Sequence, residues 1–286
     1  MDLAINVFLN VVSLVSILSL IVLGFAVIAG MMGIFNFAHG EFVLLGACTL
    51  YYCEGFGLSP WLGIIIAPVF VFFIGLIVER LVIRRFYGAP LMAMLGTYAL
   101  GLSIRSLVEA ILQGQYYKVA APLTGVVTFA GASISEWRLA IIAITVVAVA
   151  VSLAIMKWTN VGLQVRAALE NPGLARAAGL STNRIYLFTF AFGAALAGLA
   201  GALVVPIYSL YANLGVEFLL KAFLSVLLGG FGSLAGPVAG AGFIAAGTDL
   251  LPWVMAPVFA SVLVVIGAVI IAKLLPNGLA GLWRRE

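Results

Sequence analysis

The segment Val7–Gly30 reads VFLNVVSLVSILSLIVLGFAVIAG and contains no charged residue. A stretch of about 20 apolar residues is long enough to cross a bilayer as a helix. Apolar residues make up 65% of the 286-residue chain and charged residues only 8%, whereas soluble domains carry about 25% charged residues. Such a chain cannot cover a water-facing surface. The composition therefore excludes a soluble enzyme, a disordered protein and a nucleic-acid-binding protein.

Eight further apolar segments follow along the chain. They are Ile34–Cys53, Trp61–Val78, Leu91–Leu112, Leu139–Met156, Ile185–Ile207, Gly215–Gly230, Leu234–Leu251 and Val254–Leu275. Backbone polar groups in lipid must find partners within the protein, so these segments are predicted to be helices. The sequence predicts an all-α, polytopic integral membrane bundle with eight or nine hydrophobic segments, some of them broken or re-entrant. We expect residues 1–286 to form one transmembrane domain.

Lysine and arginine are distributed unevenly between the two sets of connections. One set contains only Lys118 and Arg138. The other set contains Arg80, Arg84, Arg85, Lys157, Arg166, Arg176, Arg184, Lys273, Arg284 and Arg285. Cytoplasmic connections are enriched in positive charge. We therefore expect the N-terminus outside the cell and the C-terminus in the cytoplasm.

The polar motif Asn36-Phe37-Ala38-His39-Gly40-Glu41 lies between the first two apolar runs. Ionisable groups at membrane depth are costly and usually face a partner or a cavity. Broken helices within a membrane commonly build substrate sites. One interpretation is that Asn36, His39 and Glu41 line or brace a substrate pathway. The other is an ordinary cytoplasmic turn with capping residues.

Two pairs of opposite charges lie within predicted helices at a spacing of four residues. They are Arg105 with Glu109, and Glu217 with Lys221. That spacing places each pair on one helix face, where mutual neutralisation reduces the cost of burial. We predict two intrahelical ion pairs, with either a structural role or a contact with substrate. Asp249 is expected to be a solvated residue near the outer end of its segment.

The segment Gly229–Pro237 reads GGFGSLAGP and predicts a tight turn or an unwound stretch near the pathway. Gly230, Gly232 and Ser233 are its candidate pathway residues. No GxxxxGK[ST] motif occurs in the chain, so ATP binding by that device is excluded. The single histidine, His39, with one nearby Glu makes too small a metal site and does not make a serine-protease site. We expect neither a metal nor enzymatic activity.

The most polar inner stretch runs from residue 157 to about residue 185. Asn171 is a plausible helix N-cap, Pro172 a first helical residue and Gly179 a C-terminal stop. These signals predict a short helix over Pro172–Ala178, preceded by a second one over Leu163–Glu170. Such a pair suits docking into a groove on a partner, although a plain connector between helices has the same composition.

Four parts of the chain resemble the permease subunits of branched-chain amino acid ABC importers. The first is Asn36–Phe42 followed by Leu45–Ala47, and the second is Gly162–Ala167 with Asn171, Ala175 and Gly179. The third is Lys221–Phe223 with Leu228–Ser233 and Gly236–Pro237. The fourth is the ending Pro276–Gly281. Leu275 stands before it where an Arg is usual, and Ala280 stands within it where a Phe is usual.

This resemblance implies a bacterial inner-membrane assembly surrounded by lipid. A second homologous permease pairs with this chain, two cytoplasmic ATPases hold ATP and Mg²⁺, and an extracytoplasmic binding protein delivers substrate. The chain itself is expected to bind no cofactor and no nucleic acid. The resemblance also implies that Arg166, Asn171, Arg176 and Gly179 contact the ATPase.

The implied mechanism is alternating access for branched-chain or other hydrophobic amino acids. Permeases for urea and short-chain amides carry similar signatures and provide an alternative substrate class. A passive channel is the competing function from another class, but it has no need of an ATPase-docking loop.

Overall fold

The computed structural model describes residues 2–33, 35–129, 132–230, 235–275 and 278–283. The helices are α1 (Asp2–Met32), α2 (His39–Gly55), α3 (Pro60–Leu81), α4 (Pro90–Leu112), α5 (Glu136–Trp158), α6 (Asn160–Glu170), α7 (Pro172–Ala177), α8 (Thr182–Val204), α9 (Leu214–Gly229), α10 (Ala235–Leu250), α11 (Pro257–Leu274) and α12 (Ala280–Trp283). Short 3-10 turns cover Ile83–Phe86 and Leu251–Trp253, and strands β1 (Val126–Phe129) and β2 (Ala132–Ser135) form a hairpin.

Each of the nine predicted apolar segments overlaps one α-helix, which confirms the polytopic helical fold. Six stretches of the described chain are long and apolar enough to cross a bilayer. They are Ile5–Gly30, Pro60–Phe86, Pro90–Leu112, Glu136–Trp158, Thr182–Val204 and Pro257–Leu274. The helices α2, α9 and α10 contain 17, 16 and 16 residues. At about 1.5 Å per residue they fall short of a bilayer core of about 30 Å, as expected of segments that do not cross alone.

Helix α8 lies at the centre of the bundle and packs against α1, α2 and α3. Its small residues permit close backbone contact with each of these neighbours. A Cβ atom added at Gly193 would crowd Gly24 of α1, and one added at Gly201 would overlap the Val43 carbonyl of α2. Gly198 faces Val71 of α3. The glycines of α8 therefore allow close packing against three neighbouring helices, as small residues do in membrane bundles.

The outer faces of α3, α4, α5 and α11 remain strongly apolar. Their exposed side chains include Phe73, Leu95, Val147 and Ile270, each more than half exposed. Large exposed apolar patches mark contact with a membrane or a protein partner. These faces are therefore the surface that the bundle presents to lipid or to other chains.

The β-hairpin between α4 and α5 is a feature that the sequence analysis did not predict. Its strands are antiparallel, with Val126 opposite Ser135 and Val127 opposite Ile134. The Ser135 hydroxyl accepts a hydrogen bond from the Trp137 backbone amide and so caps α5. The hairpin thus leads directly into α5.

Candidate functional site

The Asn36–Glu41 turn lies deep within the bundle, at the start of α2. The Phe37 amide donates to the Thr97 hydroxyl of α4 at 3.1 Å, and His39 Nε2 lies 3.0 Å from the Ile21 carbonyl oxygen. Ile21 is well inside α1, and Thr97 is in the second turn of α4. The side chains of Asn36, His39 and Glu41 are all buried. The turn is therefore enclosed by helices.

Glu41 forms an ion pair with Arg105 of α4. Arg105 Nη2 lies 2.6 Å from Glu41 Oε1, and Arg105 Nε donates to the same oxygen at 3.1 Å. The Glu41 side chain is 0% exposed and that of Arg105 is 20% exposed. A fully buried carboxylate needs such a partner, because taking an unpaired charge out of water is costly.

The predicted pairing of Arg105 with Glu109 is wrong. Glu109 is exposed on α4, whereas Arg105 turns towards α2. An exposed pair four residues apart contributes only about 0.3–0.5 kcal/mol, so the buried Glu41 carboxylate is the stronger partner for the guanidinium group. The second predicted pair is present in the structure, with Lys221 Nζ at 2.7 Å from Glu217 Oε1.

Several polar atoms of the α2 turn have no hydrogen-bond partner among the described residues. These atoms are Asn36 Nδ2, His39 Nδ1 and Glu41 Oε2. Asn36 Oδ1, in contrast, accepts from the Ala38 amide at 3.0 Å and so holds the turn. Buried polar groups normally have partners. The turn therefore retains unused bonding capacity inside the bundle.

The start of α9 packs directly against the start of α2. A Cβ atom added at Gly40 would overlap the carbonyl oxygen of Gly215, and the reverse also holds. Next to this contact, Glu217 accepts a hydrogen bond of 2.9 Å from the Tyr211 hydroxyl as well as pairing with Lys221. The carboxylates of the Glu41–Arg105 and Glu217–Lys221 ion pairs therefore both lie within two residues of the Gly40–Gly215 contact.

Helix α9 ends at Gly229, and Gly230 follows it. Gly230 has φ of 79°, a conformation that residues with a side chain rarely adopt. The Leu279 amide near the C-terminus donates to the Leu228 carbonyl at 2.8 Å, so the tail packs on this junction. Two predicted pathway residues, Gly232 and Ser233, lie outside the described residues.

The polar inner stretch forms two capped helices, α6 and α7. The Thr159 hydroxyl accepts from the Gly162 amide at 3.1 Å, and Asn171 Oδ1 accepts from the Leu174 amide at 2.9 Å. Helix α7 ends at Ala177, one residue before the predicted end, and Gly179 follows with φ of 85°. The sequence signals for the cap and the stop therefore correspond to the observed geometry.

The outward surface of α6 and α7 combines arginine with leucine. Arg166 and Arg176 are exposed, as are Leu163 and Leu174. The Arg166 guanidinium donates to the Met156 carbonyl at the end of α5. A cleft between the two helices is lined by Ala167, Glu170, Asn171, Leu174, Ala175, Ala178 and Leu180. This mixed surface can accept both apolar and acidic groups of a partner.

Helix α6 is attached to the body of the bundle through a small apolar cluster. Val165 of α6 and Val27 of α1 are both buried there, and Met156, Ile185 and Tyr186 pack around them. Helix α6 therefore packs against the C-terminal half of α1 and the start of α8.

Several polar residues of the structure were missed by the sequence analysis. Glu79 of α3 is fully buried and accepts a hydrogen bond from the Tyr87 hydroxyl. Asp249, expected as a solvated end residue, is half-buried in a cavity together with Arg138. Arg138 and Asp249 lie at ends of apolar segments that were predicted to face the same side of the membrane. That shared position was the sequence signal that the two side chains lie near each other.

Comparison with known proteins identifies relatives along nearly the whole chain. Residues 7–274 match the family described as "Branched-chain amino acid transport system / permease component". The high-affinity branched-chain amino acid transport system permease protein LivH of Salmonella typhimurium is 26% identical, covering 95% of this chain and 94% of its own length. The protein BraD of Pseudomonas aeruginosa, which carries the same description, is 30% identical and covers 78% of each chain.

A further relative is LivH of Escherichia coli K12, which is 28% identical over 81% of this chain and 80% of its own length. No solved structure gives a significant match.

Proposed function

Because the chain belongs to the family of permease components of branched-chain amino acid transport systems, we propose that it forms part of the membrane pathway of an ATP-driven importer. It is a transport subunit and not an enzyme. The observation that carries the proposal is the exposed, capped α6–α7 surface at one end of an apolar bundle. The described residues form a membrane bundle without a motor domain, so we assign the work of transport to an external ATPase.

The proposed assembly contains a second homologous permease, two cytoplasmic ATPases and an extracytoplasmic binding protein. The apolar faces of α3, α4, α5 and α11 provide surface for the second permease and for lipid. ATP and Mg²⁺ belong to the ATPases in this arrangement.

The proposed orientation in a bacterial inner membrane places α6 and α7 in the cytoplasm. A cleft at the end of α3 and the start of α8 brings together Arg80, Arg84 and Arg184. The start of α8 follows α7 along the chain, so the arginine-rich end is also the α6–α7 end. Positive charge favours the cytoplasmic side. The N-terminus is then outside and the C-terminus inside.

The proposed mechanism is alternating access. Closure of the ATPases moves α6 and α7. Arg166, Arg176 and the segment between Asn171 and Gly179 make the contacts with the ATPases. The Val165–Val27 contact passes this displacement to α1. Asn36, His39, Glu41 and Gly230 are the proposed pathway-lining or pathway-bracing residues of this chain. ATP and substrate shift the equilibrium between the two access states only because each binds one state more tightly than the other.

The proposed substrates are branched-chain amino acids, as the names of the relatives indicate, with urea or short-chain amides as the alternative. Uptake of labelled leucine and of labelled urea is measured in cells that express the complete transporter, with cells lacking this chain as the control. Leucine uptake that requires the chain, without urea uptake, supports the proposal. Chain-dependent urea uptake without leucine uptake replaces it with the alternative.

A further inference from the structure

A polar cavity opens at the end of the bundle opposite α6 and α7. Arg138 lies in the first turn of α5, whereas α6 follows the other end of the same helix. The 23 residues of α5 separate the two ends by roughly 34 Å at ~1.5 Å per residue. The cavity has a volume of about 140 Å³ and is lined by Val7, Asn10, Ser13, Leu14, Ile17, Arg138, Ile207, Tyr208, Asp249 and Trp253.

The cavity contains one positive and one negative side chain from different helices. Arg138 comes from α5 and Asp249 from α10, and both are half-buried. In the part of the chain that the structure describes, the ion pairs are Arg105–Glu41 and Lys221–Glu217, so Arg138 and Asp249 are not joined within 4.0 Å. Each charge is therefore available to a ligand that lies between them.

A buried hydroxyl in the same cavity also lacks a partner among the described residues. The Ser13 side chain is 1% exposed, and its Oγ has no hydrogen bond. Two other serines of α1 bond back to their own helix, Ser16 to the Val12 carbonyl and Ser19 to the Val15 carbonyl. Buried hydroxyls are normally satisfied. The Ser13 hydroxyl thus provides an unused donor and acceptor at the cavity wall.

The wall also contains the polar side chain of Asn10 and the apolar side chains of Leu14 and Ile17 from α1 and of Ile207 after α8. A cavity of about 150 Å³ in a protein core holds a molecule the size of benzene. The volume here is of that order, so it holds the charged end of an amino acid and the first carbon of its side chain, and the opening of the cavity leaves room for the rest of the side chain.

We propose that this cavity is a binding site for a small aliphatic amino acid as a zwitterion on the outer side of the permease. Arg138 binds the α-carboxylate, Asp249 binds the α-ammonium group, and Ser13 contributes a hydrogen bond. The aliphatic side chain packs against Leu14 and Ile17. Charge-assisted bonds of this kind are shorter and stronger than neutral ones. The proposal rests on the proposed function and assigns the place where this chain first holds its substrate.

Two helices connect the cavity to the inner end of the protein. Helix α1 carries Ser13 in its outer half and Val27, which contacts α6, in its inner half. Helix α5 carries Arg138 in its first turn, and its Met156 carbonyl accepts the hydrogen bond of Arg166. An amino acid in the cavity thus contacts two of the helices against which α6 packs.

Equilibrium binding of labelled leucine to the purified permease–ATPase complex, prepared without the binding protein, tests the proposal. We expect Arg138→Gln and Asp249→Asn each to weaken binding about tenfold or more, the loss expected for one charge-assisted hydrogen bond. Lys118→Gln and Glu109→Gln, exposed charges outside the cavity, are the matched controls and should bind leucine as the wild type does. Basal ATPase activity verifies that each variant is assembled.

A second measurement uses the wild-type complex and therefore does not depend on the folding of variants. Leucine should compete for the site, whereas leucinamide, which lacks the carboxylate, and 4-methylpentanoate, which lacks the ammonium group, should each compete at least about tenfold less well. Equal competition by the three compounds overturns the proposal.

Other outcomes separate the site from the function. Absence of leucine binding to a complex that imports leucine overturns the site and leaves the proposed function intact. Absence of leucine import by the complete wild-type transporter overturns the proposed function itself. Variants that bind leucine normally but no longer bind the binding protein would assign the cavity to protein docking and overturn the amino-acid site.

Discussion

Glu41 Oε1 lies 2.6 Å from Arg105 Nη2, and this ion pair joins the first turn of α2 to the middle of α4. Helix α4 otherwise presents a mostly exposed apolar surface. The Phe37 amide and the Thr97 hydroxyl provide a second polar link between the same two parts of the chain. The position of α4 therefore depends on polar contacts with the α2 turn.

Replacement of Glu41 by glutamine should destabilise the protein and lower transport. The amide keeps the shape of the side chain but leaves the Arg105 charge without its partner. Breaking a buried pair by removing one member costs about 3 kcal/mol. The thermal unfolding midpoint of the purified complex and the leucine uptake rate are the measurements.

Glu109→Gln is the matched control, because Glu109 is an exposed carboxylate on the same helix as Arg105. It should leave both quantities unchanged. A Glu41→Gln protein with wild-type stability and uptake would show that the ion pair neither holds α4 nor contributes to the pathway.

Replacement of Gly46 by alanine should separate α2 from α8. A Cβ atom at Gly46 would overlap the carbonyl oxygen of Gly198, a backbone atom that cannot move alone. Overpacking of this kind costs about 2 kcal/mol, and a lower unfolding midpoint is the expected result. Gly242→Ala is the control, since no heavy atom lies within 4 Å of its added Cβ. There the helix should gain about 0.5–1 kcal/mol, and equal effects at both positions would contradict the packing described.

Replacement of Arg176 by glutamate should uncouple ATP hydrolysis from transport. Arg176 is exposed in the last turn of α7, and its side chain has no hydrogen bond or ion pair among the described residues. Like charges brought together at an interface cost several kcal/mol, so transport per ATP hydrolysed should fall about tenfold or more while the protein remains folded.

Arg85→Glu reverses an equally exposed charge outside α6 and α7 and should retain normal coupling. Normal coupling in the Arg176→Glu transporter would remove α7 from the proposed ATPase contact.

Cysteine labelling of intact cells should place α6 and Lys118 on opposite sides of the membrane. The native Cys48 and Cys53 are buried, so the background reaction should be small. A membrane-impermeant thiol reagent should label Lys118→Cys from outside and Glu170→Cys only after the membrane is opened, since both positions are exposed. Labelling of Glu170→Cys in intact cells would reverse the orientation and contradict the ATPase contact.

The features that local sequence determines were predicted well. Apolar runs of membrane length predicted the helices because a helix satisfies its backbone hydrogen bonds within one segment. The Asn171 cap was visible because a side chain bonded to an amide three residues later is a local interaction. The Glu217–Lys221 pair was visible for the same reason, since i and i+4 residues of a helix are neighbours.

The features that depend on long-range packing were not predictable from one sequence. Glu41 and Arg105 are 64 positions apart, and the sequence offered Glu109 as a closer partner. The cavity between Arg138 and Asp249 likewise requires the arrangement of α1, α5 and α10 around each other. The β-hairpin was missed because its eight strand residues lie in a stretch that lacks a membrane-length apolar run.

The central claim is that this bundle is moved by ATPases on other chains, and the ATP dependence of uptake tests it most directly. Labelled leucine uptake is measured with the complete transporter and with the same transporter whose partner ATPases bind ATP but cannot hydrolyse it. We predict that concentrative uptake stops when hydrolysis is blocked, because the proposed mechanism assigns the work of transport to these ATPases. Unchanged leucine flux through the blocked assembly would contradict the account and identify a passive channel.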